Sequence, residues 1–92
     1  MIRSFGHKGL QRFFEQGNRA GIQPAHSGRL STILGVLNSA TTPQDIALPG
    51  LELHPLHGNM EGQWAVSVNG PWRVTFRFED GDVWQVNYVQ YH

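Results

Sequence analysis

The sequence predicts an α+β domain in which two N-terminal helices pack on one face of a small antiparallel β-sheet. Three observations carry that expectation. Before Gly50, apolar residues recur at helical spacing, first as Leu10, Phe13 and Phe14 and then as Leu30, Ile33, Leu34 and Leu37. After Gly50 the period becomes two: Trp64, Val66 and Val68, then Trp72, Val74, Phe76 and Phe78, alternate with polar or small residues. The strand-like runs are separated by Asn69-Gly70 and by Glu79-Asp80-Gly81-Asp82, both hairpin signals.

Taken in order, Ile2 to Phe5 reads as a short edge strand. A helix follows from His7, amphipathic with Lys8 and Arg12 on its basic side, and Gly17 ends it in the left-handed conformation glycine accepts. Asn18 to Gln23 is a loop. Pro24 opens the second helix, where its missing N–H costs nothing. Gly28 and Gly35 weaken that helix by about 1 kcal/mol each relative to alanine, so packing must carry it, with the glycines allowing a close neighbour. Thr42-Pro43-Gln44-Asp45 reads as an N-cap with proline at the first helical position, giving one helical turn.

Leu51 to Pro55 then alternates as a strand, His57 to Gly62 is a loop, and three further strands form a meander. In the last of them Trp84, Val86 and Tyr88 share one face. A two-residue loop at Asn69-Gly70 would put Val66 opposite Arg73. Matching Val68 with Trp72 and Val66 with Val74 therefore requires a bulge, expected near Gly70 and Pro71.

Length and composition predict a single domain over residues 1–92, with 39% hydrophobic and 15% charged residues marking it as globular. The absence of cysteine excludes a disulfide framework and any thiolate metal site. No apolar run approaches the ~18 residues of a membrane span, and the N-terminus lacks a signal-peptide core. A cytoplasmic chain with no membrane partner is the expectation. The formal net charge is zero but unevenly spread. Residues 1–44 carry five basic residues against one acidic, and residues 45–92 carry two against six.

If the helices cover the aromatic face of the sheet, the other face lies open. Arg73 projects there from a rigid strand, a good place for a guanidinium to hold a phosphate. His54 alternates with Leu51 and Leu53 onto the same face. His57 opens the adjacent loop, and Tyr91 and His92 follow the last strand. His7 and His26 read as solvated helix positions, and Tyr88 and the three tryptophans as core.

Three chemistries fit the set His54, His57, Arg73, Tyr91 and His92. RNA cleavage needs one group to take the 2′-OH proton, another to protonate the leaving 5′-oxygen and a cation to steady the phosphorane; imidazoles and a guanidinium suit those roles. Imidazoles could instead ligate a metal, although no carboxylate or cysteine completes a set at convincing spacing. An open polar sheet could also bind a partner without chemistry.

The chain resembles the HigB toxins of the RelE/ParE superfamily, the killer components of plasmid-maintenance toxin–antitoxin pairs. The resemblance runs through Met1-Ile2-Arg3-Ser4-Phe5, His7-Lys8-Gly9-Leu10, Phe14-Glu15 with Gly17-Asn18, Leu48-Pro49-Gly50 and Leu53-His54-Pro55-Leu56. It continues through Trp64, Val66 and Val68-Asn69-Gly70, Trp72-Arg73-Val74-Thr75-Phe76 and the terminal Tyr91-His92. It implies a microbial-RNase-like fold, ribosome-dependent mRNA cleavage in the A site without a cofactor, and a HigA-type helix-turn-helix antitoxin that represses the operon by binding operator DNA.

It also implies acid–base roles for His54 and His92, a phosphate-holding role for Arg73, and an orienting or stacking role for Tyr91. Three departures stand out. His57 replaces the usual lysine, Gln90 replaces the acidic residue that commonly precedes Tyr-His, and the chain is neutral where relatives are basic. The alternative expectation is an attenuated toxin of the same fold that acts by protein binding without RNase activity.

Overall fold

The computed structural model describes residues 1–91. Helices α1 (Lys8–Gln16) and α2 (Ser27–Ser39) precede strands β1 (His54–Pro55), β2 (Gln63–Asn69), β3 (Trp72–Glu79) and β4 (Asp82–Gln90). Short 3-10 turns occupy Pro24–His26, Pro43–Ile46 and Gly58–Met60. The strands form one sheet in the order β1-β2-β3-β4, each antiparallel to the next. This is the α+β architecture that the change of period predicts.

The first helix ends as its sequence requires. Gly17 takes φ 72° and returns its N–H to the Phe13 carbonyl at 2.9 Å. Its start is less expected. His7 is not a solvated helix position but the cap of α1, its Nδ1 accepting the Leu10 N–H at 3.0 Å. The close backbone approach in this layer involves Gly9 rather than α2. A Cβ on Gly9 would lie 2.6 Å from the Gly21 carbonyl oxygen, so the loop after α1 rides directly on its first turn. Gly28 and Gly35 face open space, which overturns the expectation that they admit a close neighbour. The turn at Pro43 forms as expected, with the Asp45 carboxylate accepting the Thr41 and Thr42 N–H groups at 3.0 and 3.2 Å.

Leu10, Leu30, Ile33 and Leu37 from the helices meet Val66, Val74, Phe76 and Val86 from the sheet, and all eight are wholly buried. Each side chain of this kind contributes roughly 1.5–3 kcal/mol by leaving water. Trp64, Trp72 and Phe78 pack around this centre half-buried.

Irregularities in the strands depart from simple alternation. Val66 pairs with Val74, as matching the apolar faces demands, but the bulge lies at Val68 rather than at Gly70 and Pro71. The two-residue turn closes on the pair Asn69–Trp72, so the extra residue is absorbed within β2. In β4 Gln85 takes φ 54°, and the β3–β4 register shifts between Thr75 and Arg77. Trp84 therefore pairs with Arg77 on the open face and is 36% exposed, while Val83, Val86 and Tyr88 enter the core. The expected grouping of Trp84 with Val86 and Tyr88 fails because a bulge reverses the facing of every residue before it.

The bulge also shapes the N-terminal edge. Ile2 and Phe5 form isolated parallel bridges to Val83 and Val86 instead of a continuous ladder. Between them the Gln85 N–H donates to the Ser4 hydroxyl at 2.9 Å. Finally, β1 is shorter than its alternation suggests, because Glu52 takes φ 53° and breaks the extended run.

Candidate active site

On the face of the sheet away from the core, cross-strand partners line up in rows. Partners directly opposite in antiparallel strands share a face. One row runs His54, Ala65, Thr75, Asn87, and the next runs Ser67, Arg73, Val89. His54 and Arg73 therefore project from the same face, one from β1 and one from β3. The middle of this face is made of short side chains, Ala65 at 0% and Thr75 at 1% exposure. The longer side chains of His54, Arg73, Arg77 and Trp84 surround them.

His54 is exposed, but its ring is not free to turn. Its Nδ1 lies 2.8 Å from the Glu52 carbonyl oxygen. A carbonyl can only accept, so Nδ1 carries the hydrogen, and in the neutral ring the lone pair is on Nε2. The left-handed backbone of Glu52 is what turns that carbonyl towards the ring. Arg73 is anchored in a comparable way: its Nη1 donates to the carbonyls of Gly70 at 2.5 Å and Trp72 at 2.9 Å. Among the described residues no hydrogen bond engages its Nε or Nη2.

Tyr91 is 38% exposed, and its N–H donates to the Pro71 carbonyl at 2.9 Å. Its backbone is thus tied to the same turn that Arg73 grips. His57 is exposed in the loop between β1 and β2 and leads into the Gly58–Met60 turn. No hydrogen bond joins His54, His57, Arg73 and Tyr91 to one another. His92 lies outside the described residues. Among the described residues, no three His, Cys, Asp or Glu side chains gather as a possible metal site, and no helix is long and apolar enough to cross a membrane.

Two supports behind this face were not anticipated. His26 is buried at 6% exposure rather than solvated, with its Nδ1 2.6 Å from the Tyr88 hydroxyl. Trp72 stacks on Tyr88 with centroids 4.7 Å apart and meets the His26 ring edge-on at 5.5 Å. Burial pushes the Tyr88 phenol above its ordinary pKa, so it remains an O–H near neutrality. A tyrosine in the core alternation of a strand needs such a partner, and that was the available signal.

The second support is Arg29 of α2. Its Nη2 donates to the Gly50 carbonyl at 2.5 Å and the Ser67 carbonyl at 3.1 Å. It thereby ties the segment leading to His54 and the strand residue opposite Arg73 to one helix. Its buried Nε has no partner among the described residues. Only its charge was legible beforehand.

Comparisons with known proteins place the chain in a family. The family model described as the RelE-like toxin of the type II toxin–antitoxin system HigB matches residues 3–92. The chain belongs to the HigB-like toxin family. Among curated relatives, it is 39% identical over 92 residues to the Endoribonuclease HigB of Proteus vulgaris, covering 100% of both chains. It is 30% identical over 83 residues to Toxin HigB-1 of Vibrio cholerae serotype O1, covering 88% of this chain and 87% of the relative. As a toxin of a type II system, this HigB-like chain has an antitoxin as its partner class.

Proposed function

We propose that this HigB-like toxin is an endoribonuclease that cleaves mRNA on the ribosome, acting in the cytoplasm as one domain over residues 1–92. The observation that carries the reading is His54, an exposed imidazole held in one tautomer on the same open face as Arg73. Membership of a toxin family with a relative named Endoribonuclease HigB supports it.

In this reading an imidazole lone pair removes the 2′-OH proton. The 2′-oxygen then attacks phosphorus, the P–O5′ bond breaks, and a second group protonates the departing 5′-oxygen. The products are a 2′,3′-cyclic phosphate and a 5′-hydroxyl. His54 and His92 share the acid–base roles, and the proton transfers need no metal ion or other cofactor. Arg73 binds the scissile phosphate through Nε and Nη2, the donors its turn contacts leave over, and stabilises the charge that grows there. Two strand spacings and a two-residue step put the His54 and Arg73 Cα atoms about 12 Å apart, room for one phosphodiester between the two side chains. Tyr91 orients or stacks on the substrate, and His57 stands at the rim. The partner that restrains the toxin is a HigA-type helix-turn-helix antitoxin, which links the pair to operator DNA.

The test is mRNA cleavage on purified, programmed ribosomes by the wild type, His54→Ala and His92→Ala, with a control lacking ribosomes. Ribosome-dependent cuts that slow by about 10²–10⁴ in the variants are expected. No cleavage by folded wild type would overturn the nuclease reading and favour a toxin that acts by protein binding, consistent with the zero net charge.

A further inference from the structure

At the far end of the row that carries His54, around Thr75 and Asn87, the open face deepens into a groove of about 490 Å³. Its volume falls within the roughly 300–1,000 Å³ of small-ligand sites. Thr75 is its floor, and the bridged N-terminal segment Ser4–Gly6 forms one wall. Gln63, Gln85 and Asn87 supply amides, while Met60 and Val89 supply apolar surface. No charged side chain lines it. The two arginines of β3 lie outside it, so this groove is not built for a phosphate. Neutral amides and a hydroxyl between apolar walls are the chemistry that holds a nucleobase: hydrogen bonds at its edge and contact on its faces.

Position and atom chemistry sharpen this. Val89 is the cross-strand partner of Arg73, and Asn87 is the partner of Thr75, so the groove adjoins the proposed phosphate position. The Tyr88 N–H meets the Asn87 side chain at 2.9 Å, and because an N–H can only donate, the atom it meets is Oδ1. Asn87 therefore keeps Nδ2 as its spare group, and that group is a donor. Ser4 is likewise committed, its oxygen accepting the Gln85 N–H, so its hydroxyl hydrogen is the part left to donate.

We propose that this groove is a base-binding subsite: it takes the nucleobase adjoining the scissile phosphate, with Asn87 Nδ2 donating to an acceptor on the base edge. The proposal rests on the RNA-cleavage reading for the identity of the ligand, but it makes a claim about binding that cleavage alone does not test. Met60 and Val89 contact the base faces. Bases that offer a carbonyl oxygen or ring nitrogen to Asn87 are favoured over those that offer an amino group.

The test uses isotope-labelled full-length protein and a trinucleotide whose cleavage-site 2′-OH is removed, so that it binds without being cut. An otherwise identical trinucleotide lacking the base at that position serves as the comparison. Binding is followed through the side-chain amide signals of Asn87, Gln63 and Gln85. The intact trinucleotide is expected to shift the Asn87 amide and to bind about fivefold tighter than the abasic one. Asn87→Asp keeps an oxygen for the Tyr88 N–H but exchanges the outward donor for an acceptor. It is expected to move preference about fivefold towards bases presenting an amino group, and Asn87→Ala to abolish the preference. Equal affinity for intact and abasic trinucleotides, an unshifted Asn87 amide, or no binding at all would overturn the subsite. Base-dependent binding by a protein that fails to cut on ribosomes would leave the subsite standing and remove the nuclease reading. Ribosome-dependent cutting with equal affinities would do the reverse.

Discussion

On the helix side of the sheet, Val66, Val74, Phe76 and Val86 have no exposed surface, whereas the far side sets two sunken residues, Ala65 and Thr75, among exposed His54, Trp84 and half-buried Arg73 and Arg77. The same strands make both faces, with neighbouring residues pointing opposite ways. Stability and chemistry are thus interleaved along the chain but separated in space. The helix side is held by burial, a non-directional effect that tolerates no lost volume. The far side is held by a few directed hydrogen bonds, from Arg73 to its own turn and from His54 to Glu52. Substitutions on the two faces should fail in different ways.

The largest expected effect is on the packed face. Phe76→Ala removes the largest wholly buried side chain and should cost about 3–5 kcal/mol in urea unfolding. A domain of this kind has about 5–15 kcal/mol in total, so the variant would lie close to unfolding at ambient temperature. A loss below about 1 kcal/mol would mean that the core is far looser than its burial indicates.

Three residues away, on the opposite face, Arg73→Ala should leave the fold intact and lower mRNA cleavage on ribosomes by about 10²–10³. Its losses within the fold are the two carbonyl contacts at the Gly70–Trp72 turn, about 0.5–1.5 kcal/mol each at most. Full cleavage by a folded Arg73→Ala protein would break the division between the faces, as would a collapse of stability equal to that of Phe76→Ala.

Acid should attack the packed side before it reaches the hydrogen-bonded carboxylates. Burial holds the His7 imidazole below its ordinary pKa of 6.5, and its Nδ1 must stay unprotonated to cap α1. A group with a lowered folded pKa binds more protons when unfolded below that ordinary value. The stability tied to neutral His7 is therefore present above about pH 6.5 and drains away as pH falls from there towards the lowered value. Asp45, held low by the Thr41 and Thr42 N–H groups, and Asp82, held low by Arg3, respond only as pH falls below their ordinary 3.8. Thermal melts from pH 7.5 to 4.5 should fall for the wild type and flatten for His7→Asn, which retains a cap. Parallel curves for the two proteins would remove His7 as the cause.

What the sequence disclosed follows the same division. The two helices and the three-strand meander are legible because burial imposes a period, and Gly17 is legible because a helix end needs its backbone. The common facing of His54 and Arg73 also follows from alternation. Three features do not, because they depend on single backbone conformations that no pattern announces. Gln85 at φ 54° turns Trp84 outward, the bulge settles on Val68, and Glu52 at φ 53° both truncates β1 and aims the carbonyl that fixes His54. The burial of His26 is not legible either, because a histidine beside a helix start gives no hint that a tyrosine 62 residues later lies 2.6 Å away.

The smallest expected effect lies at the rim of the open face. His57 is exposed, stands in the β1–β2 loop after His54, and makes no hydrogen bond through its ring to a described residue. An imidazole carries its charge only part of the time near neutrality, whereas a lysine carries it throughout. At an exposed site such a charge contributes little to folding, so His57→Lys should leave the melting temperature unchanged. It acts on a different quantity, the local concentration and binding of a polyanion, where one added charge is worth a few-fold and is screened by salt. Cleavage on ribosomes should therefore rise about two- to fivefold at low ionic strength through a lower KM, with kcat unchanged, and the gain should shrink as salt is added. A gain in kcat that salt does not diminish would place His57 among the groups that touch the reacting atoms. No gain at any salt would take the loop out of the substrate path and confine the chemistry to β1, β3 and the residues after β4.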